Sequence, residues 1–182
     1  MEKRSARLIL LNGPPGCGKS TLARRYVEDH PLALNLDIDQ LRGLLGRWPA
    51  NPERAGLLAR ELALAMARTH LTAGHDVVIP QYLGRLPFLH QLDQLAASTG
   101  IPLHEFVLLD TRENSLRRWA DREALAPGGG AADAAQVAEY YDRLLALLPH
   151  RPDAVVIHTE ADRIDAAYRA LLDRLPPAAP SD

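Results

Sequence analysis

The stretch NGPPGCGKST (12–21) fits the pattern G-x-x-x-x-G-K-[S/T], through Gly13, Gly18, Lys19 and Ser20. An apolar run, RLILLN (7–12), comes directly before it and predicts a buried strand. The segment KSTLARRYVEDH (19–30) follows and predicts a helix. Glycines let backbone N–H groups converge on phosphate oxygens, and the start of the helix adds a positive potential. The stretch therefore predicts a phosphate-binding loop between a strand and a helix.

We expect the whole loop to contribute to nucleotide binding. The Lys19 ammonium can bridge the β- and γ-phosphates, and the Ser20 hydroxyl is the predicted Mg²⁺ ligand. The pattern thus predicts ATP as the phosphoryl donor and Mg²⁺ as its counter-ion. The residues assigned to nucleotide binding in the loop are Gly13, Pro14, Pro15, Gly16, Cys17, Gly18, Lys19, Ser20 and Thr21.

Four further apolar runs alternate with helical patterns along the chain. Short continuous apolar runs are typical of strands that are buried on both faces of a parallel sheet. The sequence therefore predicts an α/β fold of three layers, the P-loop NTPase fold, with a five-stranded parallel sheet flanked by helices. The four runs are LALNLD (32–37), DVVIP (76–80), LHEFVLLD (103–110) and DAVVIHT (153–159).

The length and composition predict one domain in a reducing compartment. The chain has 182 residues, and we expect a single domain over residues 1–175 followed by a frayed tail over 176–182. The net charge of −2 argues against a surface coated with basic residues for duplex binding. No apolar run approaches the roughly 18 residues that a membrane helix needs. A single cysteine, Cys17, cannot form an internal disulfide, and this predicts a cytoplasmic protein.

Two aspartates follow the second predicted strand. The segment NLDIDQLRGLL (35–45) places Asp37 and Asp39 at the carboxyl end of that strand, where parallel sheets collect ligands. A carboxylate there can accept the proton of an incoming hydroxyl, and Arg42 can grip an acceptor phosphate or the moving phosphoryl group. Either one could instead cap the next helix, or help to hold Mg²⁺.

The segment GPPGCGKSTLARRYVEDHPLALNLDIDQLR (13–42) resembles the start of the phage-type polynucleotide 5′-kinase domain. That family belongs to the nucleoside-monophosphate-kinase-like group of P-loop kinases, which are small AAA-type ATPases or kinases. Zeta toxins and chloramphenicol phosphotransferases are similar in plan. Lys19, Asp39 and Arg42 keep the spacing of the resembled family. The resemblance implies that Asp39 is the general base, that Arg42 clamps the acceptor and that Lys19 stabilises charge.

The resemblance also implies a small helical lid over about residues 112–132. The segment TRENSLRRWADRE (111–123) places Arg118 and Arg122 four residues apart, on one face of a predicted helix. In the resembled kinases one lid arginine lies near the adenine and another reaches the phosphates. We assign Arg118 to the first role and Arg122, as a catalytic residue, to the second. The alternative is a solvated helix face whose arginines pair with neighbouring carboxylates. The glycine-rich segment APGGGAAD (126–133) suits a lid tip.

One position departs from the resembled family. An acidic residue often ends the third strand there, whereas this chain has Pro80 and Gln81. The sequence therefore predicts an ATP-dependent kinase that phosphorylates a hydroxyl, either on a 5′-hydroxyl nucleic-acid end or on a small molecule such as a sugar, nucleoside or antibiotic. The alternative from another class is a regulatory module that binds nucleotide without catalysis or hydrolyses it slowly. The expected partners are a nucleotide and a hydroxyl-bearing acceptor, without a membrane.

Overall fold

The structure is a computed structural model that describes residues 6–125, 133–159 and 164–176. The side chains of Arg122, Glu123 and Leu125 are not among the described groups. The glycine-rich part of the expected lid (126–132) and most of the expected frayed tail (177–182) therefore lie outside the described residues.

Five parallel strands form one sheet in the order β2-β3-β1-β4-β5. The strand that leads into the phosphate-binding loop is central, because β1 pairs with β3 on one side and with β4 on the other. All five residues of β1 are buried, as the continuous apolar run predicts. The strands are β1 (Leu8–Asn12), β2 (Leu34–Asn35), β3 (Val77–Pro80), β4 (Leu103–Leu109) and β5 (Val155–His158).

Helices cover both faces of the sheet, which confirms the predicted three-layer α/β fold. Leu8 and Leu10 of β1 pack into a core with the third, fourth and sixth helices, whereas Ile9 and Leu11 face the first and seventh. Two short 3₁₀ turns cover Trp48–Ala50 and Leu148–His150. The helices within the described residues are α1 (Lys19–Asp29), α2 (Ile38–Gly43), α3 (Pro52–Thr72), α4 (Leu86–Thr99), α5 (Arg112–Leu125), α6 (Ala134–Leu147) and α7 (Ile164–Arg174). No described helix is both long and apolar enough to cross a bilayer.

The second strand is much shorter than the predicted run over 32–37. Leu32 has a positive φ of 64°, and the strand pairing is limited to Leu34 and Asn35. Asp37 then caps α2, because its Oδ1 accepts hydrogen bonds from the backbone N–H groups of Asp39 at 3.0 Å and Gln40 at 3.3 Å. Of the alternatives for the two aspartates, Asp37 is thus the helix cap, whereas Asp39 lies in the first turn of α2.

Buried ion pairs tie the elements together at the amino edge of the sheet, where the parallel strands begin. Asp76 Oδ1 accepts a hydrogen bond from the Arg7 backbone N–H at 2.9 Å, and Asp76 Oδ2 accepts one from the Tyr26 hydroxyl at 2.8 Å. Arg151 donates to Glu105 Oε2 at 2.7 Å and forms a two-pronged contact with Asp93 at 2.7 and 2.9 Å. The guanidinium groups of Arg7 and Arg151 are thus paired with carboxylates, and we interpret both arginines as structural.

We predict that Arg151→Met destabilises the fold by about 3 kcal/mol, because it leaves a buried carboxylate without its partner. The Glu105 side chain is only 5% exposed, and burial raises the pKa of its carboxyl. Asp93 is 41% exposed, so the control Asp93→Asn should cost about 1 kcal/mol or less. Urea denaturation of both variants measures this, and equal small losses would contradict the prediction.

The pH dependence of stability should contain a contribution from His104. Burial lowers the pKa of its imidazole, the positive charge of Arg7 lowers it further, and Asp76 acts in the opposite direction. Because the folded pKa lies below the unfolded value of about 6.5, this contribution is present above that pH and is lost as the pH falls. We expect the free energy of unfolding to fall from pH 7 to pH 5, and to fall less in His104→Gln. If the free energy of unfolding falls equally with pH in the wild type and in the variant, His104 does not contribute to the pH dependence.

Candidate active site

The phosphate-binding loop connects β1 to α1 at the carboxyl edge of the sheet. A Cβ atom on Gly13 would lie 2.5 Å from both the Cys17 Sγ and the Leu108 carbonyl oxygen, so only glycine fits there. Gly18 has a φ of 96° at the N-cap of α1, a conformation that also favours glycine. Cys17 is buried and fills the space against Gly13. Packing thus determines the loop's path.

The Lys19 ammonium points back into the loop. Its Nζ donates to the carbonyl oxygens of Gly13 at 2.8 Å and Pro14 at 2.9 Å, and lies 3.7 Å from the Cys17 Sγ. Among the described residues, no carboxylate forms an ion pair with Lys19. Its positive charge therefore remains available for a phosphate.

A cavity of about 570 Å³ opens in front of this loop. Ser20 and Thr21 are exposed at the first turn of α1, so their hydroxyls can reach a ligand in the cavity. Glycines and free positive charge suit a polyphosphate, and the Ser20 hydroxyl suits a Mg²⁺ ion that the polyphosphate brings with it. The cavity is lined by Gly16, Gly18, Lys19, Ser20, Thr21, Arg24, Arg118 and Asp121.

The sequence interpretation missed two residues in this lining, Arg24 and Asp121. The spacing could have identified Arg24, because it follows Ser20 by four residues and so lies on the same helix face; its Nε donates to the Ser20 carbonyl at 3.3 Å. Within the described chain, no group of three or more His, Cys, Asp or Glu side chains could hold a metal ion by itself. The phosphate oxygens of a nucleotide and the Ser20 hydroxyl would be ligands for a metal in this cavity.

Helix α5 lies against the loop. A Cβ atom on Gly16 would be 3.4 Å from the Arg118 Cβ and from the Trp119 backbone nitrogen. The Arg118 guanidinium lies 2.6 Å from the Asp110 Oδ2 and forms an ion pair with it. The two groups are not oriented for a hydrogen bond. The backbone of Arg122 belongs to the same helix, but its side chain is outside the described groups, so its predicted role stays a prediction.

Asp110 was not predicted as a site residue. It follows β4, the neighbour of the central strand, and its side chain is only 4% exposed. Its Oδ1 accepts hydrogen bonds from the Thr111 backbone N–H at 2.6 Å and from the Asn114 Nδ2 at 2.9 Å. The sequence signal was an acidic residue directly after an apolar strand, in LHEFVLLD (103–110). Asp110 thus holds Arg118 beside the loop.

Asp39, in the first turn of α2, lies beside Arg42, in the last turn of the same short helix. The Arg42 guanidinium is 3.0 Å from the Asp39 Oδ1, and it stacks on the Trp48 ring at 4.6 Å. The Asp39 side chain is 59% exposed, so its other oxygen is open to a ligand. Neither residue lines the cavity around Lys19, so within the described chain this pair forms a separate part of the carboxyl edge.

The Asn12 side chain links the loop to the segment after β3. Its Oδ1 accepts from the backbone N–H groups of Gly13 at 2.8 Å and Leu83 at 2.9 Å, and its Nδ2 donates to the Leu83 carbonyl at 3.0 Å. Gln81, which stands where the resembled family often has an acid, has a buried Oε1 with no partner among the described residues. That oxygen can accept a hydrogen bond from a bound molecule.

A second cavity, of about 400 Å³, opens beyond Leu83. Elements α3, α6 and the β3–α4 connection contribute to it. The cavity is lined by Leu57, Arg60, Tyr82, Leu83, Gly84, Arg85, Pro87, Phe88 and Arg143. One lining residue, Leu83, is hydrogen-bonded to Asn12, which comes directly before the phosphate-binding loop.

Comparison with known proteins identifies relatives among adenylate kinases. The chain is 30% identical to an adenylate kinase of Novosphingobium aromaticivorans over 118 residues, which is 59% of this chain and 55% of that protein. It is 29% identical to the adenylate kinase of Xanthobacter autotrophicus, over 69% of this chain and 70% of that protein. For the adenylate kinase of Deinococcus radiodurans the identity is 28%, over 72% of each chain. The first of these matches thus spans little more than half of its relative.

Solved structures share the fold at low sequence identity. A candidate kinase of Chloroflexus aurantiacus matches with a TM-score of 0.68 and 16% identity, over 93% of this chain and 96% of that one. The tunicamycin resistance protein of Deinococcus radiodurans matches with a TM-score of 0.59 and 15% identity, over 97% of this chain and all of that one. A specific relationship to polynucleotide kinases stays a prediction.

A family model described as an AAA domain (AAA_33) matches residues 8–147, more than half of the chain. The matched range contains the phosphate-binding loop, the Asp39–Arg42 pair and α5. The chain therefore belongs to the AAA domain family AAA_33 and is a P-loop kinase-like domain.

Proposed function

We propose that this protein transfers the γ-phosphoryl group of ATP to a hydroxyl of an acceptor molecule. The observation that carries the proposal is the exposed carboxylate of Asp39, paired with Arg42 at the carboxyl edge that also holds the Lys19 loop. A sensor that only binds nucleotide has no need of a base on the acceptor side.

The donor half of the reaction depends on positive charge around the loop. Backbone N–H groups and the Lys19 ammonium bind the β- and γ-phosphates, and they stabilise the charge that develops as the phosphoryl group moves. Arg118, held by Asp110, supports the nucleotide from α5. We propose Arg122 as the second lid arginine at the phosphates. When bound with the nucleotide at Ser20, Mg²⁺ would neutralise phosphate charge.

The acceptor half depends on Asp39. Its free oxygen accepts the proton of the attacking hydroxyl while the new O–P bond forms and the bond from the γ-phosphorus to ADP breaks. Arg42 stays beside it, fixed by Trp48, where it can bind the acceptor or the moving group. The buried Oε1 of Gln81 can accept a hydrogen bond from the acceptor. A 5′-hydroxyl nucleic-acid end and a small alcohol both present such a hydroxyl.

A second candidate is transfer to a nucleoside monophosphate. Three relatives with 28% to 30% identity are adenylate kinases, whose name implies a phosphate acceptor. A phosphate oxygen is largely deprotonated at pH 7, because its second pKa is near 6, so it attacks without a general base. The two candidates thus make different demands on Asp39.

We predict that Asp39→Asn lowers transfer to a hydroxyl acceptor by about 10²–10⁴-fold, because the amide cannot accept the proton. The measurement is transfer of label from γ-labelled ATP, with Mg²⁺, to a 5′-hydroxyl oligonucleotide and to a panel of sugars and nucleosides. The exposed Asp153, in the turn before β5, provides the matched control Asp153→Asn. A loss of less than tenfold in Asp39→Asn would remove Asp39 from this role.

The same variant distinguishes the second candidate. With AMP as the acceptor, we predict that Asp39→Asn changes the rate of ADP formation by less than tenfold, since no proton has to be removed. Fast ADP formation by the wild type, unaffected in the variant, together with no labelling of any alcohol, would establish the phosphate acceptor and overturn the hydroxyl proposal.

A further inference from the structure

The second cavity concentrates positive charge without carboxylates. Three of its nine lining residues are arginines, each from a different element: Arg60 from α3, Arg85 from the N-cap of α4 and Arg143 from α6. Within the described residues no aspartate or glutamate lines it, although the chain as a whole has a net charge of −2. Arg60 and Arg85 are exposed, so their charges are accessible to an anion that enters the cavity.

Two of these arginines have no carboxylate partner. Among the described residues, Arg60 and Arg85 form no ion pair; Arg60 instead lies 5.9 Å above the Phe88 ring. Arg143 pairs with Glu139, which lies outside the cavity lining. The first turn of α4 also faces the cavity, and its N-cap, Arg85, provides no side-chain hydrogen bond to the backbone. Planar guanidinium groups and free N–H donors together bind phosphate well.

The rest of the lining suits the body of a small molecule. Leu57 and Phe88 provide apolar surface, and the half-buried Tyr82 lies on the cavity wall. The Tyr82 hydroxyl donates to the Tyr140 carbonyl at 3.0 Å, and burial raises its pKa to about 12, so it adds no negative charge at neutral pH. A volume of about 400 Å³ lies within the range of small-ligand sites.

One wall of the cavity is linked to the phosphate-binding loop. Leu83, which lines the cavity, is hydrogen-bonded to Asn12, the residue before Gly13 of the loop. Ile38, the neighbour of Asp39, belongs to the same buried cluster as Leu83 and as Ala59 of α3. The same core thus supports the cavity and the helix that carries the proposed base.

We propose that the acceptor is a small molecule that carries a phosphate group apart from the hydroxyl that is phosphorylated. The arginines Arg60, Arg85 and Arg143 bind that phosphate, and this inference rests on the function proposed above. The group could belong to a nucleoside phosphate or to a sugar phosphate, since both offer a dianion beside free hydroxyls.

Binding without turnover tests the site separately from the reaction. The donor pocket is first saturated with Mg²⁺ and the β,γ-imido analogue of ATP, so that the phosphate-binding loop cannot take the probe. Calorimetry then compares adenosine with adenosine 3′-monophosphate, and glucose with glucose 6-phosphate. We expect at least one phosphorylated probe to bind at least tenfold more tightly than its parent, and the favoured pair identifies the source of the phosphate.

Charge-removing variants assign the binding to the cavity. Arg60→Gln, Arg85→Gln and Arg143→Gln should each weaken the favoured probe by about tenfold or more. Arg68→Gln is the matched control, because Arg68 is exposed on the same helix as Arg60 but does not line the cavity. Thermal melts confirm that each variant is folded.

The outcomes separate the two proposals. Binding that needs the three arginines, with no phosphoryl transfer to any hydroxyl, supports this site and contradicts the proposed function. Transfer that is equally fast with and without the acceptor phosphate, with Kd values unchanged within twofold in all three variants, overturns this inference alone. Binding of a 5′-hydroxyl oligonucleotide through these arginines, with no binding of either small phosphorylated probe, also overturns it.

Discussion

The side-chain amide of Asn12 holds the two halves of the site together. It is fully buried and makes three hydrogen bonds, to the backbone N–H of Gly13 and to both backbone groups of Leu83. No apolar residue could replace it without leaving three buried backbone groups unpaired, each at a cost of about 1–3 kcal/mol. Asn12 therefore links the phosphate-binding loop to one wall of the arginine-lined cavity, in addition to the backbone pairing of β1 with β3.

Positive charge is treated differently at the two edges of the sheet. At the amino edge, Arg7 and Arg151 are paired with the buried carboxylates of Asp76 and Glu105. At the carboxyl edge, Lys19 is held by backbone carbonyls, and the described lining of the second cavity has guanidinium groups but no acidic side chain. The first arrangement is neutral and stabilises the fold, whereas the second retains positive charge for anionic ligands. Arg118 combines both arrangements, because it is paired with the buried Asp110 and also lines the cavity at the phosphate-binding loop.

Local sequence patterns predicted most of the fold. The apolar runs identified all five strands, and the glycine spacing identified the loop, because strand burial and loop geometry are both local properties. The pattern failed at β2, where Asp37 hydrogen-bonds to the backbone and begins a helix earlier than the apolar run suggests. It also missed Asp110, whose role depends on Arg118 in the next helix. The arginine-lined cavity could not be predicted, since Arg60, Arg85 and Arg143 are far apart in sequence and meet only through the packing of α3, α4 and α6.

The close approach of Gly13 to the Leu108 carbonyl has a consequence for synthesis of the chain. The loop comes well before β4 in the chain, yet one wall of it belongs to β4, which pairs with β1 through Leu8 and Leu103. While the ribosome has exported only β1 to β3, the central strand is still an open edge and the phosphate site lacks the wall that β4 provides. Nucleotide affinity should therefore arise only once residue 109 has left the exit tunnel. ATP can then stabilise this domain only after its central sheet is assembled.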